Sequence, residues 1–330
     1  MHPVIPLILF GVQSETSPLS IFKRDNDALR LIITLVQESW ISHIHRTDTP
    51  TKLHYTFDYT PASYDVPIPA GLFILPDCMN FPAPLKDEHG ERIPVHVNMM
   101  PFTMVDPGET YNPRNIKLIA KTLPRNLKRY APLVAMCLRR VPEEYGKVGY
   151  ISVHESYIEK GATQRRPGLH IESPGRAPSG IIPMHGYHKN FSWGGGAADI
   201  DEFGEINMKG GIFFGSNMAG TSRVWDCLIE DHEKVAGHLG DIGHLRKLIG
   251  GNEAGTLLGA GEIVWMTDRT PHESVPQPKS GFRQFFRIVT SEVSGWYEEH
   301  NTPSELGVAP NCDIVKGNKF LSGMKDLSLG

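Results

Sequence analysis

Short apolar segments separated by Gly- and Pro-rich turns fill the second half of the chain, and this pattern constrains the fold most. Residues 148–158 alternate apolar and polar side chains, as a half-buried strand does. Further short strands are predicted at 211–216, 222–229, 256–258, 262–266 and 282–289. One helix, at 231–249, is expected to insert between them. A βαβ sheet would need helices alternating with strands throughout, so the pattern favours a jelly-roll or barrel.

Helical patterns lie mainly in the first half of the chain. Apolar residues recur at three- and four-residue spacings in 25–47 and again in 112–141. Pro124 and Pro132 are expected to divide the second region, because proline removes a helix hydrogen bond and clashes with the preceding turn. The fold class predicted is therefore mainly β with flanking helices.

The chain is expected to form one compact unit with three parts. They are an N-terminal helical and irregular region (1–147), a β core (148–293) and a C-terminal tail (294–330). Within the core, residues 173–205 are rich in Gly and Pro and lack a strand pattern. Connections of this length in a compact domain are usually functional or disordered. We predict that this loop is a lid over a binding site.

Composition excludes two classes of partner. The formal net charge is −4, from 33 basic and 37 acidic residues, so no basic surface for nucleic acid is expected. No apolar run approaches the length of a membrane span. The four cysteines form no C-x-x-C pair, which is typical of reduced thiols in a cytoplasmic protein. We therefore expect a cytoplasmic protein with a small-molecule ligand.

His170 and Glu172 stand two residues apart, so on a strand both side chains point to the same face. Together they supply two neighbouring ligands for a divalent metal. The best candidate for a third is His272, where an apolar strand runs into a turn. Two His and one carboxylate on one face of a metal leave the opposite positions open, as in non-haem Fe(II) oxygenases. Asp268 is a competing carboxylate, for which we favour a turn role.

Each ligand also has a structural interpretation. In one alternative, His170 is a hydrogen-bonded core histidine and Glu172 pairs with Arg165 or Arg166. Separately, His272 would merely cap the turn that it follows. The same three ligand types also suit zinc, which would indicate a hydrolytic site.

An arginine follows the third candidate ligand on the next predicted strand. Ten residues separate Arg283 from His272, and Arg287 lies on the same strand face as Arg283. A cosubstrate carboxylate needs a fixed bidentate cation, which a guanidinium supplies. We prefer Arg283 for this role because of its distance from His272, with Arg287 as the alternative. Structural salt bridges would explain both arginines equally simply.

These residues together resemble a known family. The chain reads Pro-Gly-Leu-His-Ile-Glu at 167–172, Gly-Glu-Ile-Val at 261–264 and Thr-Pro-His-Glu-Ser-Val-Pro at 270–276, followed by Arg283. This resembles the core of the Fe(II)/2-oxoglutarate-dependent oxygenases over roughly residues 148–290. The family has an H-x-D/E…H metal triad with an Arg beyond the second His. Here the carboxylate is Glu, where most members have Asp.

The resemblance implies a double-stranded β-helix (jelly-roll) core with Fe(II), 2-oxoglutarate and O₂ as cofactor and cosubstrates. His170, Glu172 and His272 would bind the iron, and Arg283 the distal carboxylate of 2-oxoglutarate. Gln164 is a further candidate for cosubstrate contact. Four residues are candidates for substrate contact, with lid or packing roles as the alternative: His185, His188, Trp193 and Trp225.

The expected function is that of a non-haem Fe(II)- and 2-oxoglutarate-dependent dioxygenase in specialised metabolism. It would oxidise a C–H bond of a small organic molecule by hydroxylation, desaturation or cyclisation. One alternative is a cupin-type Fe(II) enzyme that does not use 2-oxoglutarate. The other is a non-catalytic β-barrel binding protein, in which the His and Glu residues are structural.

Overall fold

The computed structural model of the protein describes residues 71–75, 79–108, 113–172, 192–200, 206–230 and 232–316. The predicted helix 25–47, the candidates His185 and His188, and most of the loop 173–205 lie outside the described residues. The described part is mainly β with a few short helices, as predicted. None of its helices is long and apolar enough to span a membrane.

The strands, in chain order, are β1 (Leu72–Ile74), β2 (Val95–Thr103), β3 (Val148–Ile158), β4 (Ala197–Ile200), β5 (Ile206–Lys209), β6 (Ile212–Ser216), β7 (Ser222–Val224), β8 (Thr256–Leu257), β9 (Ile263–Met266), β10 (His272–Ser274), β11 (Gly281–Val289), β12 (Gly295–Tyr297) and β13 (Asp313–Val315). The helices are α1 (Pro113–Lys121), α2 (Ala131–Leu138) and a single turn, α3 (His232–Val235). β4 pairs with β5, and β12 with β13.

Six antiparallel strands form the main sheet, in the order β1-β9-β6-β11-β3-β2. At its centre, β11 pairs with β3 from Gly281 opposite Ile158 to Val289 opposite Tyr150. β3 has the bounds that its alternating sequence predicts. β1 and β2 form the two edges, so the sheet extends beyond the predicted 148–293 core into the region before it.

Three strands form a second sheet, in the order β10-β7-β8. The extended residues before Glu172 lie along the free side of β10, where His170 pairs with His272. On its other side His170 pairs with Asp241. Backbone pairing thus extends beyond β10 to the segment that carries His170, and two segments that are distant in the chain lie side by side.

Apolar side chains cover both faces of the main sheet, because successive residues of a strand point in opposite directions. Phe286 of β11 packs in one cluster with buried residues of α1 and α2. Its neighbour Phe285 packs in a second cluster, which contains Val224 of β7 and Leu258 beside β8. The second cluster therefore joins the main sheet to the smaller one.

The helical region predicted at 112–141 is present as α1 and α2. α1 ends at Lys121, ahead of Pro124, which separates the two helices. Pro132 does not divide a helix. It stands in the first turn of α2, where a proline has no intrahelical hydrogen bond to lose.

The single inserted helix predicted at 231–249 is wrong. The structure has α3 and two 3-10 turns, His238–Gly240 and Gly243–Leu245. The reason is pairing with the extended segment that carries His170. Ile171 N–H donates to Gly240 O at 3.0 Å, and Ile242 N–H donates to Leu169 O at 3.1 Å. Backbone groups used in this pairing cannot also continue a helix.

Candidate metal centre

Backbone pairing places the two histidines directly opposite each other. His170 N–H donates to His272 O at 3.0 Å, and His272 N–H donates to His170 O at 2.9 Å. Side chains of directly paired residues in neighbouring antiparallel strands lie on the same face. The two imidazole centroids are accordingly 4.4 Å apart.

Glu172 joins this pair because it lies two residues beyond His170. Its backbone N–H donates to Asp268 O at 2.9 Å, and its carboxylate lies 3.7 Å from His272 Nε2. The potential ligand atoms of His170, Glu172 and His272 all lie within 4.8 Å of one another. The Glu172 and His272 side chains are only 10% and 11% exposed. This His-Glu-His group could hold a metal ion.

Hydrogen bonds to the histidine rings fit metal binding. His170 Nδ1 lies 2.7 Å from Gly168 O, and His272 Nδ1 lies 3.0 Å from Thr270 O. A carbonyl only accepts, so each Nδ1 carries the hydrogen and each Nε2 keeps its lone pair free. Burial, followed by the charges of His272 and Arg166, lowers the pKa of His170 well below its ordinary value. Both features favour the neutral, metal-binding form of the ring.

Asp268, the competing carboxylate, lies beside the triad but outside it. Its Oδ2 accepts from the backbone N–H of Trp193 at 3.0 Å, and its carbonyl holds the backbone of Glu172. Burial raises the pKa of Asp268, and the Trp193 hydrogen bond opposes that shift. The Asp268 carboxylate thus joins its turn to the distant Trp193, and does not bond the backbone of its own turn as the sequence suggested.

Arg283 and Arg287 both point from β11 toward the smaller sheet. Arg287 Nη1 donates to Glu172 Oε1 at 2.5 Å. Arg283 is fully buried, and its Nε donates to Ser216 Oγ at 3.2 Å and its Nη2 to Ser222 Oγ at 3.3 Å. In the described part of the chain, Arg283 Nη1 has no hydrogen-bond partner. Arg287 Nε likewise has no hydrogen-bond partner among the described residues. The two arginines therefore differ in their acidic pairing: Arg287 contacts Glu172, whereas Arg283 contacts serine hydroxyls and a backbone carbonyl.

The triad opens into a cavity with a strongly cationic wall. Besides the triad, the wall includes Arg165, Arg166, Phe214, Met266, Phe285 and Arg287. From the sequence, Arg165 is only a possible partner of Glu172, and Phe285 has no predicted role in the site. The alternation of β11 is a signal for Phe285, which lies between Arg283 and Arg287. We find no local sequence signal that places Arg165 in the cavity.

The remaining predicted contacts lie in supporting positions. Gln164 Nε2 donates to the carbonyls of His154 and Arg283, at 3.2 and 3.1 Å, and so ties β3 to β11. Trp225 is buried, and its indole donates to Gly251 O at 2.8 Å. Trp193 is buried against Tyr297. Among the described residues that line the triad cavity, neither tryptophan is present.

Comparison with protein-family models gives no match, and comparison with curated proteins likewise gives none. What the His-Glu-His group does must therefore be argued from its own geometry. A mainly β protein with this triad is compatible with a 2-oxoglutarate-dependent oxygenase.

Proposed function

We propose that the protein is a non-haem Fe(II)- and 2-oxoglutarate-dependent oxygenase that oxidises a C–H bond of a small organic molecule. The observation that carries the proposal is the His170–Glu172–His272 triad close to a buried arginine, Arg283, that has a free donor. Two His and one carboxylate on one face suit Fe(II) with open positions for cosubstrates. A guanidinium without an acid partner suits the far carboxylate of an oxoacid.

The arrangement of strands supports a double-stranded β-helix as the proposed fold. One six-stranded and one three-stranded antiparallel sheet are joined by a shared apolar cluster, with the triad on the smaller sheet and Arg283 on the larger. Two sheets packed in this way are the basis of jelly-roll folds. An interior shared by both sheets suits a small ligand.

In this proposal, iron bound by His170, Glu172 and His272 supplies the oxidative chemistry together with 2-oxoglutarate and O₂. The chain's own groups orient and shield the reactants. The carbonyls of Gly168 and Thr270 hold the imidazole rings with Nε2 toward the metal position. The apolar side chains in the cavity wall exclude water from that position.

Arg283 is the better candidate for the oxoacid clamp. Arg287 is already engaged with Glu172, so its positive charge is partly used in orienting that carboxylate. Among the described residues, Arg283 donates only to hydroxyl and carbonyl oxygens, which do not compensate its charge. A buried cation of this kind favours an anionic ligand strongly.

Anaerobic titration with Fe(II) and then 2-oxoglutarate tests the proposal. We expect a visible metal-to-ligand charge-transfer band in the wild type and none in His170→Ala. Arg283→Gln should weaken 2-oxoglutarate binding by at least about tenfold, because charge-assisted hydrogen bonds are lost. Arg92→Gln, at an exposed position, is the matched control and should bind normally.

The same titration separates the other functions considered. A cupin-type Fe(II) enzyme would bind iron but give no band with 2-oxoglutarate, and a β-barrel binding protein would retain no stoichiometric metal. A zinc hydrolase would be active with zinc bound and would need no 2-oxoglutarate. A greater loss of 2-oxoglutarate binding in Arg287→Gln than in Arg283→Gln would transfer the clamp to Arg287.

A further inference from the structure

More arginines surround the cavity than Glu172 and one bound oxoacid would neutralise. Arg165, Arg166 and Arg287 line it, and Arg283 lies beside it against Ser222, which also lines it. The two carboxylates in the wall are already engaged. Glu172 pairs with Arg287, and Glu273 pairs with two arginines outside the cavity wall, Arg223 at 3.1 Å and Arg246 at 2.5 Å.

Arg165 is the cation least explained by its surroundings. Its Nη1 lies 3.1 and 3.2 Å from the two ring nitrogens of His154, and its guanidinium lies 4.9 Å from the centroid of Phe285. In the described part of the chain no carboxylate lies within ion-pair distance of it. Burial and then the charge of Arg287 lower the pKa of Arg165 to about 9, and the charge of Glu172 opposes that shift.

Among the described residues, the direct contacts of Arg165 are with the neutral rings of His154 and Phe285. Burial and the charge of Arg165 lower the pKa of His154 far below its ordinary value, so this ring accepts a hydrogen bond without contributing a charge. An aromatic face attracts a cation only weakly compared with a carboxylate. A cation without an ion-pair partner and next to Arg287 destabilises the empty protein, and the charge of Glu172, which lies beyond ion-pair distance, offsets this only in part. A bound anion would remove that cost.

The position of Arg165 lies near an edge of the main sheet. The ring of His96 lies against His154, with centroids 4.1 Å apart, and His96 is exposed at the edge of the main sheet. Phe285 lies beneath Arg165 and next to Phe214, with ring centroids 6.1 Å apart. Arg165 therefore has two imidazole rings on one side, and the apolar rings of Phe285 and Phe214 extend from it toward the triad.

We propose that Arg165, together with His154, binds a carboxylate group of the substrate, while Phe285 and Phe214 hold the apolar part of the same molecule near the metal position. The substrate class is thus a small carboxylic acid with an apolar body. This inference rests on the proposed function for the identity of the second ligand, 2-oxoglutarate, which occupies Arg283.

Anaerobic calorimetric titration of the Fe(II)- and 2-oxoglutarate-loaded protein tests this subsite. The probes are acetate and benzoate, each compared with its amide, which has nearly the same shape but no charge. We expect the wild type to bind benzoate more tightly than benzamide by at least about tenfold, since only the carboxylate forms the charge-assisted pair. Arg165→Met should lose that preference.

Arg92→Met is the matched control, because Arg92 lies 5.3 Å over the ring of Phe282 but is exposed and outside the cavity wall. It should bind benzoate as the wild type does. The melting temperature of Arg165→Met without anions should equal or exceed that of the wild type, since a repelled cation has been removed. Arg165→Lys keeps the charge and serves if the methionine variant does not fold; it should weaken benzoate binding severalfold.

Three results would overturn the inference: equal binding of benzoate and benzamide by the wild type, undiminished benzoate binding by Arg165→Met, or a melting temperature of Arg165→Met well below that of the wild type. A loss of 2-oxoglutarate binding in Arg165→Met would also overturn it, because Arg165 would then bind the cosubstrate.

If the wild type binds no 2-oxoglutarate, the proposed function fails. Benzoate titration without 2-oxoglutarate still decides the role of Arg165.

Discussion

At the scale of single residues, Glu172 has the tightest constraints in the site. Its backbone is held by Asp268 O, while its carboxylate contacts Arg287 and faces His272 Nε2. The length of the side chain must therefore match the distance between a fixed backbone and a fixed pair of partners. In the proposed metal site, this matching would let a glutamate take the place of the aspartate that is more usual in the family that the motif resembles.

Replacing Glu172 by Asp should weaken Fe(II) binding by at least about tenfold, which is within the range seen when a metal-site contact is disturbed. The shorter side chain withdraws the carboxylate from His272 and Arg287, while the backbone hydrogen bond to Asp268 remains. Anaerobic Fe(II) titration measures the change. Glu298→Asp, at an exposed position, is the control. Unchanged affinity in Glu172→Asp would show that the length of this side chain does not limit metal binding.

At the scale of elements, the connection between β5 and β6 positions the main sheet against its neighbours. Gly211 has φ +95°, and a Cβ there would lie 2.3 Å from Trp265 Nε1. That indole nitrogen donates to Gly210 O at 2.8 Å, so the ring cannot move away without losing the bond. Gly220, between β6 and β7, has φ +69° but nothing within 4 Å of its Cβ position.

Alanine substitutions at these two glycines should therefore differ in effect. Gly220→Ala should lower the free energy of unfolding by about 1 kcal/mol, the cost of a left-handed backbone for a residue with a side chain. Gly211→Ala should lower it by about 3 kcal/mol or more, because strain and a buried clash add to that cost. Urea unfolding of both variants measures the difference. Equal losses of unfolding free energy in the two variants would show that the Trp265 ring moves away from the new methyl group at little cost.

At the scale of the whole molecule, a metal ion held by the triad would couple metal binding to folding. His170 and His272 lie about a hundred residues apart in the chain, and they meet only when the segment before Glu172 pairs with β10. An unfolded chain offers no such preformed site, so a metal ion binds the folded state preferentially.

Saturation with metal should therefore stabilise the protein against heat. Fe(II) at a hundred times its dissociation constant should add about 2.7 kcal/mol to the free energy of unfolding. Thermal unfolding under anaerobic conditions, with and without a chelator, measures the gain. His272→Ala should abolish it, whereas His244→Ala, at an exposed position, should retain it. Equal stabilisation of both variants would place the metal elsewhere.

Local sequence patterns determined the parts of this protein that depend on neighbouring residues. Alternation gave the bounds of β3 and the shared face of Arg283 and Arg287, because side-chain direction on a strand follows from position alone. The spacing of His170 and Glu172 placed their side chains together for the same reason. Short apolar segments between Gly- and Pro-rich turns predicted that the chain is mainly β.

Only the tertiary structure decided which distant segments meet. It brought β1 and β2 into the main sheet, replaced the predicted 231–249 helix with pairing to the His170 segment, and placed Arg165 in the cavity. It also distinguished Arg287, which pairs with Glu172, from Arg283, which does not. Strand order and register depend on backbone partners far away in the chain, and a local pattern of side chains carries no record of those partners.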